Sequence, residues 1–164
     1  MPRTDEEELT RDPGTTGFEH VLVRNLELSD LDTVVRIDAR AGGRTRGAYY
    51  ERKLAEAVRD SAIRISLAAE IDGIMAGFVI GRLYFGEFGM PEPAAIVDSI
   101  GVDPDFRGRK VGAALMAQLE TNLKAVGIET IQTQVSWDQQ DLLRFMHSEG
   151  FVPEPVLSLK KTLY

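Results

Sequence analysis

The chain has 164 residues, 43% of them apolar and 27% charged, which fits one globular domain with a core of ordinary size. It has no cysteine and only two histidines, which excludes disulfides, thiolate catalysis and Cys-based zinc sites and leaves no histidine-rich metal site. A net charge of −7 offers no basic footprint for nucleic acid, and no apolar run reaches the roughly 18 residues of a membrane span.

The start of the chain lacks the apolar core of a signal peptide, so a cytoplasmic location is expected. Residues 1–19 hold six acids (Asp5, Glu6, Glu7, Glu8, Asp12, Glu19) against Arg3 and Arg11. This Gly/Thr/Pro-rich stretch predicts a flexible acidic tail over residues 1–18, followed by a single domain over residues 19–164. From His20 to Leu26, apolar and polar residues alternate as in a half-buried strand. Ser29 is expected to cap a helix reaching about Arg40, with Asp30 and Asp32 in its first turn. A loop rich in glycine and arginine, AGGRTRG (41–47), separates it from a second helix over 48–60. Two strands follow, 65–71 and 74–85, joined by Asp72-Gly73, a strong hairpin signal. GEFGMPEP (86–93) is a loop, and the apolar AAIVDSIGV (94–102) is a central strand.

A long amphipathic helix over 108–126 is ended by Gly127; a strand over 128–137 and a helix over 138–150 come next. The last residues, FVPEPVLSLKKTLY, read as extended chain and close the order β-α-α-β-β-β-α-β-α-β. That order, with no internal repeat, implies one mixed α/β sheet layered with helices. The final strand would offer an edge for a possible homodimer.

The turn into the long helix is the distinctive stretch. In VDPDFRGRKVGAAL an apolar strand ends, and Arg107, Arg109 and Lys110 gather where a helix begins. Helix N-terminal amides and a positive dipole make an anion site there, and Gly108 and Gly112 let a ligand come close. Neither the P-loop spacing nor G-x-G-x-x-G is present. Without more, a solvated basic turn is an equal reading.

The segment IGVDPDFRGRKVGAALMAQLETNLKAVGI resembles the coenzyme-binding segment of the GNAT family of N-acetyltransferases, whose pattern is [Q/R]-x-x-G-x-[G/A]. The element order from His20 to Tyr164 and the ending HSEGFVPEP are similar too. The resemblance implies a GNAT-like fold, acetyl-CoA as co-substrate with no metal, and direct acetyl transfer to a primary amine of a small molecule or protein. It implies no nucleic-acid or membrane partner. Arg107 takes the first motif position and Gly112 the last, so amides from Arg107 through Gly108, Arg109, Lys110, Val111 and Gly112 to Ala113 would hold the pyrophosphate. Ile100, Gly101 and Val102 would line the pantetheine arm, with the Ile100 amide facing the developing oxyanion. Lys110 replaces the motif's first glycine. Met146 stands where the family often has a tyrosine acid, and Gln139 where it often has asparagine.

Asp98, the only charged residue of its strand, is the candidate base; the alternative is a carboxylate paired with an arginine. Tyr84 offers a phenol in place of the missing tyrosine, or packs in the core. Arg44 and Arg46 would suit an anionic group on the acceptor, Tyr49 or Tyr50 a flat or apolar part, and Glu87 and Glu92 a cationic amine. The alternatives are a mobile arginine loop, helix-packing tyrosines and solvated loop charges. A CoA-binding sensor or scaffold without transfer is the rival function.

Overall fold

The computed structural model describes residues 20–59 and 65–164, so the expected tail of residues 1–18 lies outside it. The elements are β1 (Leu22–Asn25), α1 (Leu31–Gly42), α2 (Gly47–Arg59), β2 (Leu67–Ile71), β3 (Ile74–Tyr84), β4 (Ala94–Val102), α3 (Val111–Ala125), β5 (Ile131–Thr133) and α4 (Gln140–Ser148). One sheet runs in the order β1-β2-β3-β4-β5, and β1 to β4 pair antiparallel. The β2–β3 hairpin closes as its dipeptide predicts: Asp72 and Gly73 have φ of 51° and 76°, the left-handed pair whose twist matches the strands. Residues up to Gln132 form one unit, and Thr133–Tyr164 form a second.

Consecutive residues of β3 point to opposite faces, and each face takes a helical layer. On one side Phe78, Ile80 and Ala68 pack with Val34 and Ile37 of α1 and Tyr50 and Leu54 of α2. On the other, Gly77 meets α3 through Val111 and Leu115. The Cβ that Gly77 lacks would fall 2.8 Å from Val111 Cγ1 and 2.9 Å from the Gly101 carbonyl oxygen. Glycine is therefore what lets the first residue of α3 lie against the sheet beside the end of β4.

Several boundaries differ from expectation for physical reasons. Ser29 does not cap α1: it lies in a 3-10 turn, Leu28–Asp30, and α1 begins at Leu31. Asp30 accepts from the Glu27 amide at 2.8 Å and from both Arg24 terminal nitrogens at 2.8 Å. Burial works against the Asp30 charge, but these bonds outweigh it and hold its carboxyl below the ordinary range. α3 begins at Val111 rather than at 108, because Gly108 and Lys110 both have positive φ. β5 is three residues long instead of ten.

In the second unit, Gly150 (φ 89°) donates to the His147 carbonyl and Phe151 to that of Met146, which stops α4 as its glycine predicts. Trp137, at the end of the segment expected as a strand over 128–137, is exposed. The expected final strand is not formed: residues 151–164 have no ladder assigned and are largely exposed. Pro153 and Pro155, two residues apart, remove two N–H groups that would face the same neighbouring strand. Among the described residues no helix is long and apolar enough to cross a membrane.

Gly77→Ala tests the close approach of α3. The new methyl meets a backbone carbonyl as well as Val111, so the change should cost about 1–3 kcal/mol. A lower urea midpoint with unchanged m-value is the expected reading.

Candidate active site

β4 ends at Val102, and the next residue turns the chain. The Asp103 amide donates to the Ala76 carbonyl at 2.8 Å, and its side chain, 6% exposed, accepts from the Asp105 amide at 3.0 Å. That bond caps a 3-10 turn, Pro104–Phe106, with proline at its first position. Arg107 is extended, Gly108 has φ 74°, and Lys110 sits left-handed at φ 61°, ψ 25°. The first helical bond of α3 runs from Ala114 N–H to Lys110 C=O at 3.0 Å, so the amides of Val111, Gly112 and Ala113 stand ahead of it. The first turn of α3 contains no acid, and no side chain caps it. Arg107, Gly108, Arg109 and Lys110 are exposed, and the Arg109 guanidinium lies 5.5 Å from the Phe106 ring centre. Amide donors, three exposed cations and a helix N-terminus thus lie within one short turn, which suits a phosphate.

The β3–β4 ladder is not regular. Ile80 faces Ser99 and Gly81 faces Val97, which leaves Asp98 as the extra residue of a bulge in β4. Its carboxylate, 16% exposed, lies 3.5 Å from Lys53 Nζ and 3.6 Å from Arg82 Nε. The expected alternative, a carboxylate paired with an arginine, is thus present, with a lysine of α2 added. Next to it, Ser99 Oγ and the Tyr49 hydroxyl share a hydrogen bond of 3.2 Å. Beyond the bulge Ile100, Gly101 and Val102 face Val79, Phe78 and Gly77 and are half-buried. The Ala95 amide donates to the Thr130 carbonyl at 2.9 Å, so the short β5 runs beside the first half of β4.

The arginine loop between α1 and α2 is anchored at one end. Arg46 donates to both Asp38 oxygens, at 2.9 and 2.7 Å, and to the Tyr50 hydroxyl at 3.0 Å. The Tyr50 hydroxyl donates to Asp38 at 2.8 Å. Burial first, then this bond, pushes the Tyr50 phenol well above its ordinary value, so it stays protonated and donating. Tyr50 is 1% exposed and meets Phe78 edge-on at 5.7 Å between ring centres. Arg46 and Tyr50 are therefore engaged with each other and the core, while Arg44 is exposed.

Tyr84 is not brought to Ile100. It faces Ala94, whereas Ile100 faces Val79, five residues or roughly 17 Å along β3. Its ring stacks with Phe88 at 6.4 Å, and burial first, then Glu87, raises its phenol. Glu87 and Glu92 are exposed in the adjoining loop. No local sequence signal marks Lys53 or Asp38, the Tyr49–Ser99 contact or the Arg40–Asp103 pairing. The Asp-Pro dipeptide at 103–104 signals a turn but names no partner for Asp103. Among the described residues no group of three or more His, Cys, Asp or Glu side chains could hold a metal ion.

Lys110→Gly tests the left-handed position. Relief of the Cβ–carbonyl contact outweighs glycine's extra unfolded-state freedom, so stability should rise by about 0.5–1 kcal/mol. Thermal unfolding of the two proteins checks it.

The acetyltransferase (GNAT) family model matches residues 31–151. Among solved structures, a transcriptional regulator from Bacillus halodurans C-125 superposes with a TM-score of 0.73 at 21% identity, over 88% of this chain and 100% of that one. The aminoglycoside N-acetyltransferase AAC(6')-Iy in complex with CoA gives 0.72 at 16%, over 88% and 96%. The ribosomal-protein-alanine N-acetyltransferase from Brucella melitensis biovar Abortus 2308 gives 0.66 at 24%, over 88% and 99%. At these identities the superpositions show the fold, and the family match covers well over half of the sequence. The chain belongs to the acetyltransferase (GNAT) family.

Proposed function

We propose that the protein is an N-acetyltransferase that takes acetyl from acetyl-coenzyme A and passes it directly to a primary amine of a small molecule or protein. The observation that carries this reading is the turn into α3. Two left-handed residues, three amides ahead of the first helical bond and three exposed cations stand at the end of the strand that bears the Asp98 bulge. Those donors fit a pyrophosphate in charge and kind. The coenzyme supplies the activated acetyl group as a thioester.

Amides from Arg107 to Ala113 hold the pyrophosphate, helped by the Arg107, Arg109 and Lys110 charges. The backbone of Ile100, Gly101 and Val102 holds the pantetheine amides as a neighbouring strand would. The Ile100 N–H donates to the carbonyl oxygen on which charge builds. Asp98 takes the proton of the attacking amine, directly or through water, and Lys53 and Arg82 fix its orientation. Tyr49, bonded to the residue before Ile100, is better placed than Tyr84 to return a proton to the departing thiolate. Arg44, Glu87 and Glu92 are the exposed charges that would meet the acceptor, while Arg46 and Tyr50 shape the loop through Asp38. The proteins whose structures superpose include acetyltransferases named for a small-molecule and for a protein acceptor, which supports both classes.

A second reading, a CoA-binding sensor, is favoured by the ion pairs already on Asp98 and by Met146 at the place of the family's tyrosine. A transcriptional regulator shares the fold. Asp98→Asn separates the two, because it keeps the side-chain size and removes the base. Thiol release across an amine panel should fall about 100-fold or more, while the calorimetric CoA affinity stays the same. A wild-type protein that binds CoA and acetylates no amine is the sensor. One that binds no CoA refutes both.

A further inference from the structure

Two carboxylates stand at the root of a turn that is otherwise made for an anion. Asp103 is almost wholly buried, and Asp105 follows two residues later. Across residues 103–110 these two acids oppose Arg107, Arg109 and Lys110. The buried one is poorly screened by water, so left alone it would lower the local potential where a phosphate must sit.

A side chain from another layer answers this. Arg40, on the last turn of α1, donates from Nη1 to Asp103 at 2.6 Å, and its Nη2 lies 3.0 Å from an Asp105 oxygen. The same Asp103 oxygen accepts the Asp105 amide that closes the 3-10 turn. Arg40 therefore grips the carboxylate that shapes the approach to Arg107 and Gly108. The Asp105 carboxyl is held below its ordinary range by the Arg40 hydrogen bond, as expected of a bonded pair.

The geometry points to Arg40 as a positioning residue for coenzyme binding. It acts through Asp103, setting the phosphate turn from the side of α1 and offsetting part of the charge of the two acids at the turn's root. This role rests on the coenzyme reading given above. Arg40 lies 63 residues before Asp103 and needs no contact with the ligand.

The test uses the full chain as wild type, Arg40→Gln and Arg40→Lys, each titrated with CoA by calorimetry. Hydrogen exchange over residues 104–110 and thermal unfolding are measured on the coenzyme-free proteins. Arg40→Gln should weaken CoA about tenfold, the scale of one charge-assisted contact, and speed exchange in the turn. Arg40→Lys keeps the charge but loses the two-point grip, so it should recover part of the affinity. If Arg40→Gln does not fold, a weakened Arg40→Lys with faster exchange at 104–110 supports the role. CoA binding as tight as wild type in both variants overturns it, even where the melting temperature falls, because Arg40 is then only structural. A wild-type protein without CoA affinity overturns the coenzyme reading, and the positioning role falls with it. Loss of affinity confined to the variants belongs to Arg40 alone.

Discussion

Gly77 and Val102 face each other across β3 and β4, and the first residue of α3 lies directly over Gly77. A side chain at Gly77 would push α3 off the sheet and carry the phosphate turn with it. One position along, Gly101 faces Phe78, and a Cβ there would come 2.8 Å from the Phe78 ring, which Tyr50 and the α1 layer hold in place. The two glycines work on opposite faces of one ladder. They set how closely the helical layers approach the end of β4, and so where the turn can stand.

The same ladder gives up its regularity once. The bulge at Asp98 puts a carboxylate beside Lys53 and Arg82, with Ser99 toward Tyr49. A charged residue in an otherwise apolar strand is tolerated because two cations reach it. Asp30 under Arg24 and Asp103 under Arg40 follow the same rule. Both of these pairs join an acid near the end of one element to an arginine from another, and Arg40–Asp103, 63 residues apart, also serves as a long-range tie.

Much of this was legible in the sequence where the information is local. Asp72-Gly73 specifies its own turn, and Gly127 and Gly150 mark helix ends because left-handed backbone suits them. Hydrophobic periodicity found α3 but started it three residues early, since period alone does not register that Gly108 and Lys110 are left-handed. The last residues read as extended chain and closed the expected order with a strand, yet a ladder needs a partner and donors, and Pro153 and Pro155 withhold two. Arg40 with Asp103, Asp38 with Arg46 and Lys53 with Asp98 were illegible for another reason. Even where one member stood out, as Asp98 did in its apolar strand, nothing local named its partner until the fold set the two within bonding distance.

That difference explains why the two halves of the proposed site were not equally readable. The coenzyme half is built largely from backbone: amides at a helix start, a left-handed turn and a strand edge. Such a site tolerates lysine in place of glycine at 110, because the donated groups do not depend on the side chain, and its spacing survives as a motif. The acceptor half is built from side chains on β4 and on the α1–α2 and β3–β4 loops, whose partners depend on packing between layers. Arg46 shows the consequence, since a loop arginine that suited an acceptor's anion is instead bonded to Asp38 and Tyr50. Its neighbour Arg44 is exposed, so in the proposed site acceptor recognition on this loop would pass to a residue with no signature beyond its type.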